Sequence, residues 1–338
     1  MKRIPIFDIA KALLVLSVFW LHVPQIYTGW YHGVNATITA IDVANVKLIA
    51  PFFMVAFFVI SGYFLNTKKS LWESTKSDLL TLVLPTIVLS IITNGLYGIY
   101  PGDFVSRFHQ YLTLEYWAIG FGYWFLTALF INKFITQILV RYVKNISVLI
   151  IITMCFCVLG LLLKTKFIAV PDCLFYKEAL LMCPMTLIGY FCKKYDVEVN
   201  RSSLQYLALG YIITTAILWV TDSNMSGFNL GTAFSVDYIP MALWLGVSGT
   251  AFVLYISSWL ERSRLLNLMG QLTLPMFCFN FLFIEIFLIQ FVSLVNNGYA
   301  FLYIVSVFVC SSLSAFVVSI ILNTKYLRWT LGKFKKEK

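Results

Sequence analysis

Three ionisable side chains interrupt the first apolar segment of this sequence, namely Asp8, Lys11 and His22. At 100° per residue, Lys11 and His22 share one face of a helix and lie roughly 16 Å apart along its axis, with Asp8 one turn before Lys11. A charged group inside a bilayer is costly unless it faces protein or water, so this row predicts a polar cleft. The alternative is that Asp8 and Lys11 only pair near the cytoplasmic interface, while His22 caps the far end of the helix.

His22 has the chemistry of a general base, although a hydrogen-bonded packing role is the alternative. An imidazole can accept the proton of a hydroxyl group that attacks an activated acyl group. Asp8 lies about 21 Å away along the helix and is too distant to orient the ring. We therefore expect a carboxylate from elsewhere, and Glu285 is the candidate most clearly inside an apolar segment. The other carboxylates expected on that side of the membrane are Glu115, Asp172, Glu178 and Asp237.

The composition indicates that membrane helices position these residues. Of the 338 residues, 60% are hydrophobic and only 12% are charged, whereas about a quarter is charged in a typical soluble domain. The net charge of +10 does not indicate nucleic-acid binding, because the basic residues are scattered between apolar segments. The seven Cys have neither metal-site nor disulfide spacing, so we expect no metal site.

The apolar segments predict an all-α, polytopic integral membrane protein with about ten transmembrane helices and a single domain over 1–338. Most of the 25 Lys and Arg residues fall on the side of the N-terminus, which predicts cytoplasmic termini and a multi-pass protein of the inner (plasma) membrane. The longest outer connections, long enough to form lids, are expected at about 28–45, 100–116 and 222–237. The ten segments are expected at about 6–27, 46–66, 79–99, 117–139, 146–164, 174–192, 203–221, 238–260, 268–292 and 299–323.

Two other segments contain residues at the depth of the ionisable row. Ser61 and Gly62 lie toward the cytoplasmic end of the second segment, where small residues commonly permit close approach between helices. Trp124 lies near the outer end of the fourth segment, where an aromatic belt at the membrane interface is the simpler explanation. Taken alone, neither pattern indicates a function.

Six sequence blocks, in order along nearly the whole chain, are more specific together than each is alone. They are Asp8-Ile-Ala-Lys11 followed by His22, Phe57-Phe-Val-Ile-Ser-Gly-Tyr-Phe64, Leu79-Leu80 to Pro85, Trp124-Phe125-Leu126, Leu187-Ile-Gly-Tyr-Phe191 followed by Lys193-Lys194, and Gly270-Gln-Leu-Thr-Leu-Pro-Met276. In this order they resemble the acyltransferase-3 family of membrane O-acyltransferases, especially its branch of fucose O-acetylases and enterobacterial-common-antigen acetyltransferases.

The resemblance implies an enzyme that moves an acetyl or related acyl group from cytoplasmic acetyl-CoA, or another acyl-CoA, to a hydroxyl of a cell-envelope carbohydrate. It implies that His22 is the base, with Asp8 accompanying it, and that Lys11 is the neighbouring basic residue. The lysines of the first cytoplasmic loop could meet the CoA phosphates as point charges, although topology alone also explains them. Including Lys11, the residues expected to bind donor or acceptor are Lys11, Ser61, Gly62, Trp124, Lys68, Lys69, Lys76 and Asn280.

Three positions depart from the family pattern. Lys11 replaces an arginine that is common in other branches, which keeps the charge but loses the bidentate geometry. Asp78 stands where a basic residue often precedes the Leu-Leu…Pro block. Asn280 occupies a position where many relatives have histidine, and an amide cannot exchange a proton in its place.

Two other classes of function remain open from the sequence. A transporter or flippase for a lipid-linked glycan could use the row of Asp8, Lys11 and His22 as a path for protons or substrate. A non-catalytic assembly partner of an envelope-glycan enzyme is the third interpretation. For the enzyme, the expected partners are acyl-CoA, a glycan or lipid-linked sugar acceptor and membrane lipids, and no nucleic acid.

Overall fold

The computed structural model describes residues 4–31, 35–99, 123–164, 174–197, 199–221 and 239–334, and no strand occurs among them. The first helices are α1 (Pro5–Tyr31), α2 (Ala36–Leu48), α3 (Phe53–Tyr63), α4 (Leu71–Asp78), a π-helical turn (Leu79–Val83), α5 (Leu84–Ile99), α6 (Trp124–Tyr142) and α7 (Ile146–Lys164). The others are α8 (Tyr176–Leu181), α9 (Cys183–Lys194), α10 (Arg201–Thr221), α11 (Ile239–Trp259), α12 (Arg264–Gln271), α13 (Thr273–Gln290), α14 (Val292–Asn296), α15 (Ala300–Leu322) and a 3₁₀ turn (Arg328–Leu331).

Nine helical segments in the described ranges are long and apolar enough to cross a bilayer, which confirms an all-α, polytopic membrane protein. They are α1, α2 with α3, α4 with α5, and the single helices α6, α7, α10, α11, α13 and α15.

The segment predicted at 174–192 is not a continuous helix in the structure. It is divided at Met182 into the short helices α8 and α9. Pro184 lies in the first turn of α9 and has no backbone N–H to continue the ladder from α8. At the start of α8, Phe175 adopts a left-handed backbone with φ of 57°. The periodicity of the sequence did not reveal either interruption.

The outer connection predicted at 28–45 is largely helical, which corrects the sequence-based boundaries. The first helix continues to Tyr31, and α2 begins at Ala36. Asn35 caps α2, because its side-chain oxygen accepts hydrogen bonds from the N–H groups of Thr37 and Ile38. A break around Pro51 then separates α2 from α3. The connections predicted at 100–116 and 222–237 lie outside the described residues.

α1 lies at the centre of the bundle. It packs against α2, α3, α11, α12, α13 and α15, and side chains such as Ile9, Ala12 and Leu14 are fully buried. By contrast, α7 and α10 expose many apolar side chains, including Ile151 and Ile213, as expected for helices that face lipid. The central position of α1 places its ionisable row mostly among protein side chains, with Lys11 and His22 only partly exposed.

The crossing of α3 and α9 depends on two glycines that face each other's backbone. An added Cβ at Gly62 would collide with the carbonyl group of Thr186, and one at Gly189 would collide with the carbonyl oxygen of Val59. Gly62, which the sequence suggested as a donor contact, therefore has a packing role. A donor contact at Gly62 and at the neighbouring half-buried Ser61 stays a prediction.

Replacing Gly62 by Ala is expected to lower the stability of the protein by about 1–3 kcal/mol or more, because the collision is with backbone rather than with a flexible side chain. The measurement is the thermal unfolding midpoint and the membrane abundance of the variant. The matched control is Gly95→Ala, since Gly95 is also inside a helix and an added Cβ there meets no atom within 4 Å. Equal stability of the two variants would contradict the close α3–α9 crossing.

Candidate functional site

The predicted pair at the start of α1 is present. Lys11 Nζ lies 2.6 Å from Asp8 Oδ1, and the side chains are 29% and 11% exposed, respectively. An ion pair that is mostly removed from water depends on both partners, because either charge alone is costly to bury. Lys11 thus keeps a partly accessible ammonium group at one end of the helix face that also carries His22.

The start of α1 is held in place by two close contacts. The carbonyl group of Asp8 lies against Gly270, where a Cβ would collide with it, so the glycine lets α12 approach α1 closely. On another side, the ring of Phe7 contacts Tyr63 and Phe64 at centroid distances of 4.5 and 5.2 Å. The end of α3 that contains Ser61 and Gly62 therefore lies beside the start of α1.

His22 is half-buried between its own helix and α13. Its Nδ1 donates a hydrogen bond to Oε1 of Gln25 at 3.1 Å, and its ring lies 4.7 Å from that of Phe281 in a tilted arrangement. With Nδ1 engaged as the donor, Nε2 holds the lone pair that a general base needs. Gln25 was not among the predicted site residues, although a polar residue three positions after a histidine is the sequence signal for such a contact.

A carboxylate was expected beside His22, but the partner of its Nδ1 in the structure is the amide of Gln25. Glu285 follows Phe281 by four residues, so it lies on the same side of α13 one turn further along. Glu178 lies elsewhere, since it pairs with Lys164 of α7 at 3.3 Å. The remaining candidates, Glu115, Asp172 and Asp237, lie outside the described residues.

Asn280 is fully buried next to the residue that contacts His22. Its Oδ1 accepts a hydrogen bond at 2.5 Å from the backbone N–H of Phe281, whereas its Nδ2 has no partner among the described residues. An unpaired buried N–H costs about 1–3 kcal/mol, so the Nδ2 group of Asn280 is a polar donor that the described residues leave without an acceptor.

The start of α6 fixes α13 in position. Tyr123 donates a hydrogen bond from its hydroxyl to the carbonyl oxygen of Cys278 at 2.6 Å. The ring of Phe125 lies 5.4 Å from that of Phe277. Trp124, predicted to bind substrate, packs 6.1 Å from the ring of Phe175 at the start of α8, and its contact with substrate stays a prediction.

A second polar cluster joins α4 to α6. Lys133 Nζ lies 2.5 Å from Asp78 Oδ1, and Gln137 donates a hydrogen bond from Nε2 to Asp78 Oδ2 at 3.1 Å. The sequence departs from the family pattern at Asp78, and the structure places a cation from α6 against it. The sequence signal for this cluster was Lys133, because an ionisable residue inside an apolar segment such as Trp124–Tyr142 usually marks a functional site.

The cluster borders a small polar cavity of about 120 Å³. Lys69 lines this cavity, whereas Lys68 and Lys76 are exposed beside it on the α3–α4 connection and on α4. Arg141 holds the α3–α4 connection in place, because it donates hydrogen bonds to the carbonyl oxygens of Lys69 and Asn66 at 2.6 and 3.1 Å. The residues that line the cavity are Phe64, Leu65, Asn66, Lys69, Ser74, Ser77, Asp78, Lys133 and Gln137.

Comparison with known proteins identifies the family. No curated protein and no solved structure matches the chain. A family model described as an acyltransferase domain matches residues 4–323, which include the row on α1, the α3–α9 crossing, the Asp78–Lys133 pair and α13. With nearly its whole length matched, the chain belongs to the acyltransferase-3 family and is a membrane acyltransferase.

Proposed function

We propose that the protein is an O-acetyltransferase of the inner membrane that moves an acetyl group from cytoplasmic acetyl-CoA to a hydroxyl of a cell-envelope carbohydrate. The observation that carries the proposal is His22, whose Nδ1 is hydrogen-bonded to Gln25 and whose ring packs on Phe281, on the same helix face as the Asp8–Lys11 pair. The six sequence blocks favour the branch of fucose O-acetylases and enterobacterial-common-antigen acetyltransferases.

In the proposed reaction, the acceptor hydroxyl oxygen attacks the carbonyl carbon of the thioester, and His22 Nε2 takes the hydroxyl proton. The C–S bond then breaks, the ester is formed, and the proton passes to the sulfur of CoA as it leaves. The Gln25 amide oxygen accepts the Nδ1 hydrogen bond and so stabilises the imidazolium that forms in between. The reaction needs no redox step.

Two nearby side chains are proposed to complete the site. The Nδ2 group of Asn280, which lacks a partner among the described residues, is suited to donate to the oxygen of the thioester or of the acceptor. Glu285 lies one turn beyond Phe281 on α13 and is proposed to support the charge of His22 or to bind an acceptor hydroxyl.

The donor is proposed to enter from the Lys11 end of α1. With cytoplasmic termini, the long arm of CoA would lie along the face between Lys11 and His22, which spans roughly 16 Å. The cavity beside Lys69 and Lys133 is then on the donor's side of the membrane, and these two cations are suited to its phosphate groups.

Replacing Lys11 by Ala is expected to weaken the use of acyl-CoA and to lower protein abundance, because Asp8 is left nearly buried without its partner at a cost of about 3–5 kcal/mol. The measurement is the KM for acyl-CoA together with the amount of folded protein in membranes. Lys11→Arg keeps the charge and is expected to be tolerated. An unchanged KM and an unchanged abundance in Lys11→Ala would show that the assignment is wrong.

Mass spectrometry of envelope glycans from cells with and without the protein tests the proposed function. We expect one glycan to lose an acetyl increment when the protein is absent. An unchanged set of acylated glycans, combined with transport of a lipid-linked glycan that depends on the proton gradient, would instead support the transporter interpretation. A mass increment other than acetyl would correct the donor and leave the acyl transfer in place.

A further inference from the structure

A large apolar cavity lies on the side of α1 opposite the proposed site. Its volume is about 730 Å³, within the range of sites that hold an organic ligand. Trp20, which lines it, is nine residues from Lys11 and therefore about 180° around the helix from it. The wall includes Ser17, Trp20, Phe52, Tyr211, Ala216 and Phe252.

The cavity opens toward the bilayer rather than toward water. Three of its lining side chains, Leu48, Ile212 and Trp219, are also 44%, 50% and 44% exposed on the outside of the bundle. They lie in segments with the length and hydropathy of membrane spans. An apolar cavity with such an opening favours hydrocarbon over water.

The polar groups of the cavity wall are mostly engaged with protein. Tyr211 donates a hydrogen bond from its hydroxyl to the carbonyl oxygen of Leu48 at 2.7 Å. Trp20 donates from Nε1 to Oδ1 of Asn45 at 2.8 Å. Ser17 donates from its hydroxyl to the carbonyl oxygen of Leu13. The wall therefore presents apolar surface to an occupant.

Among the described residues, the cation at the rim beside Trp219 is Lys47. Lys47 Nζ lies 4.8 Å from the centre of the Trp219 ring. None of the ion pairs within the described ranges includes Lys47. Tryptophan and lysine are the side chains that anchor proteins at the level of lipid headgroups, and a lysine is suited to a phosphate as a point charge.

We propose that this cavity binds an anionic phospholipid of the surrounding bilayer, with a hydrocarbon chain between α1, α10 and α11 and its phosphate beside Lys47. Because α1 separates the cavity from His22, the bound lipid is not the reacting group. The proposal does not depend on the proposed acetyl transfer. α10 packs mainly on α11 and leaves a space beside α1. The lipid would fill this space.

Native mass spectrometry of the detergent-purified full chain tests this site, with phosphatidylglycerol as the probe. Phosphatidylcholine with the same chains and an undecaprenyl phosphate are titrated in parallel. We expect phosphatidylglycerol to bind the wild-type protein most tightly. Lys47→Gln is expected to weaken the binding of phosphatidylglycerol about five-fold, as removal of one headgroup contact of about 1 kcal/mol predicts. The binding of phosphatidylcholine is expected to weaken less, because its choline cation offsets the charge of its phosphate.

Ala216→Trp places an indole in the cavity and is expected to remove the binding of both phospholipids. Its matched control is Ile213→Trp, because Ile213 lies on the same helix, is 50% exposed and does not line the cavity. Equal lipid binding by the two tryptophan variants would overturn the site. Equal binding of the two phospholipids, or tighter binding of undecaprenyl phosphate, would overturn the choice of an anionic phospholipid as its occupant.

Discussion

His22→Gln is expected to lower acyl transfer by about 10²–10⁴-fold, the usual cost of losing a general base. Glutamine keeps a polar side chain of similar reach beside Phe281, so the contact between α1 and α13 is expected to survive. Unlike a packing defect, the change should therefore leave the abundance and the unfolding midpoint of the protein close to those of the wild type. The measurement is the rate of transfer per folded molecule.

Two further variants distinguish a base from a merely polar neighbour. Gln25→Leu removes the acceptor of the Nδ1 hydrogen bond, and we expect a smaller loss of kcat and an altered pH profile, because the tautomer of the ring is no longer fixed. Glu285→Gln is expected to reproduce part of the loss seen in His22→Gln. Full activity in His22→Gln would remove the catalytic role and leave the transporter interpretation ahead.

Lys133→Ala is expected to destabilise the protein by about 3–5 kcal/mol, because Asp78 would keep a nearly buried charge without its partner. The side chain of Asp78 is only 12% exposed, and Gln137 would be its remaining contact. A loss of this size is a large part of the stability of most domains. The measurement is membrane abundance together with the thermal unfolding midpoint.

A double variant separates the structural role of Lys133 from its proposed contact with the donor. In Asp78→Asn with Lys133→Met, no charge is left unpaired, so abundance is expected to recover. The KM for acyl-CoA is expected to remain raised, because the cation beside the polar cavity is missing. Recovery of both abundance and KM would show that the pair is purely structural.

The polar row on α1 was predictable because it depends on spacing within one helix. The positions of Asp8, Lys11 and His22 fix their shared face as soon as the segment is helical, and the structure shows the pair at 2.6 Å. The apolar segments were predictable for the same reason, since each span is a local property of the chain.

Contacts between distant segments could not be derived in this way. Nothing in the spacing of Asp78 and Lys133 indicates that α4 and α6 bring them together, 55 residues apart in sequence. The packing of His22 on Phe281 likewise depends on the contact between α1 and α13 in the bundle. Sequence patterns indicate which side chains need a partner in the membrane, and tertiary packing decides which partner each one has.

Interruptions of helices were the other feature that hydropathy did not reveal. The break at Met182 depends on Pro184, and the separation of α2 from α3 occurs at Pro51. Both prolines stand in apolar surroundings that average to a membrane span. A missing backbone donor changes the path of the helix without changing the mean hydropathy of the segment.

The most direct test of the central claim uses the purified protein in proteoliposomes with radiolabelled acetyl-CoA and an envelope-glycan fraction from cells that lack the protein. The wild-type protein is predicted to transfer the label to a glycan as an ester that mild alkali releases. His22→Gln, at the same amount of folded protein, is predicted to transfer label about 10²–10⁴-fold more slowly. Transfer at the same rate by both proteins would contradict the role of His22, and no transfer by the wild type would contradict acetyl transfer from acetyl-CoA.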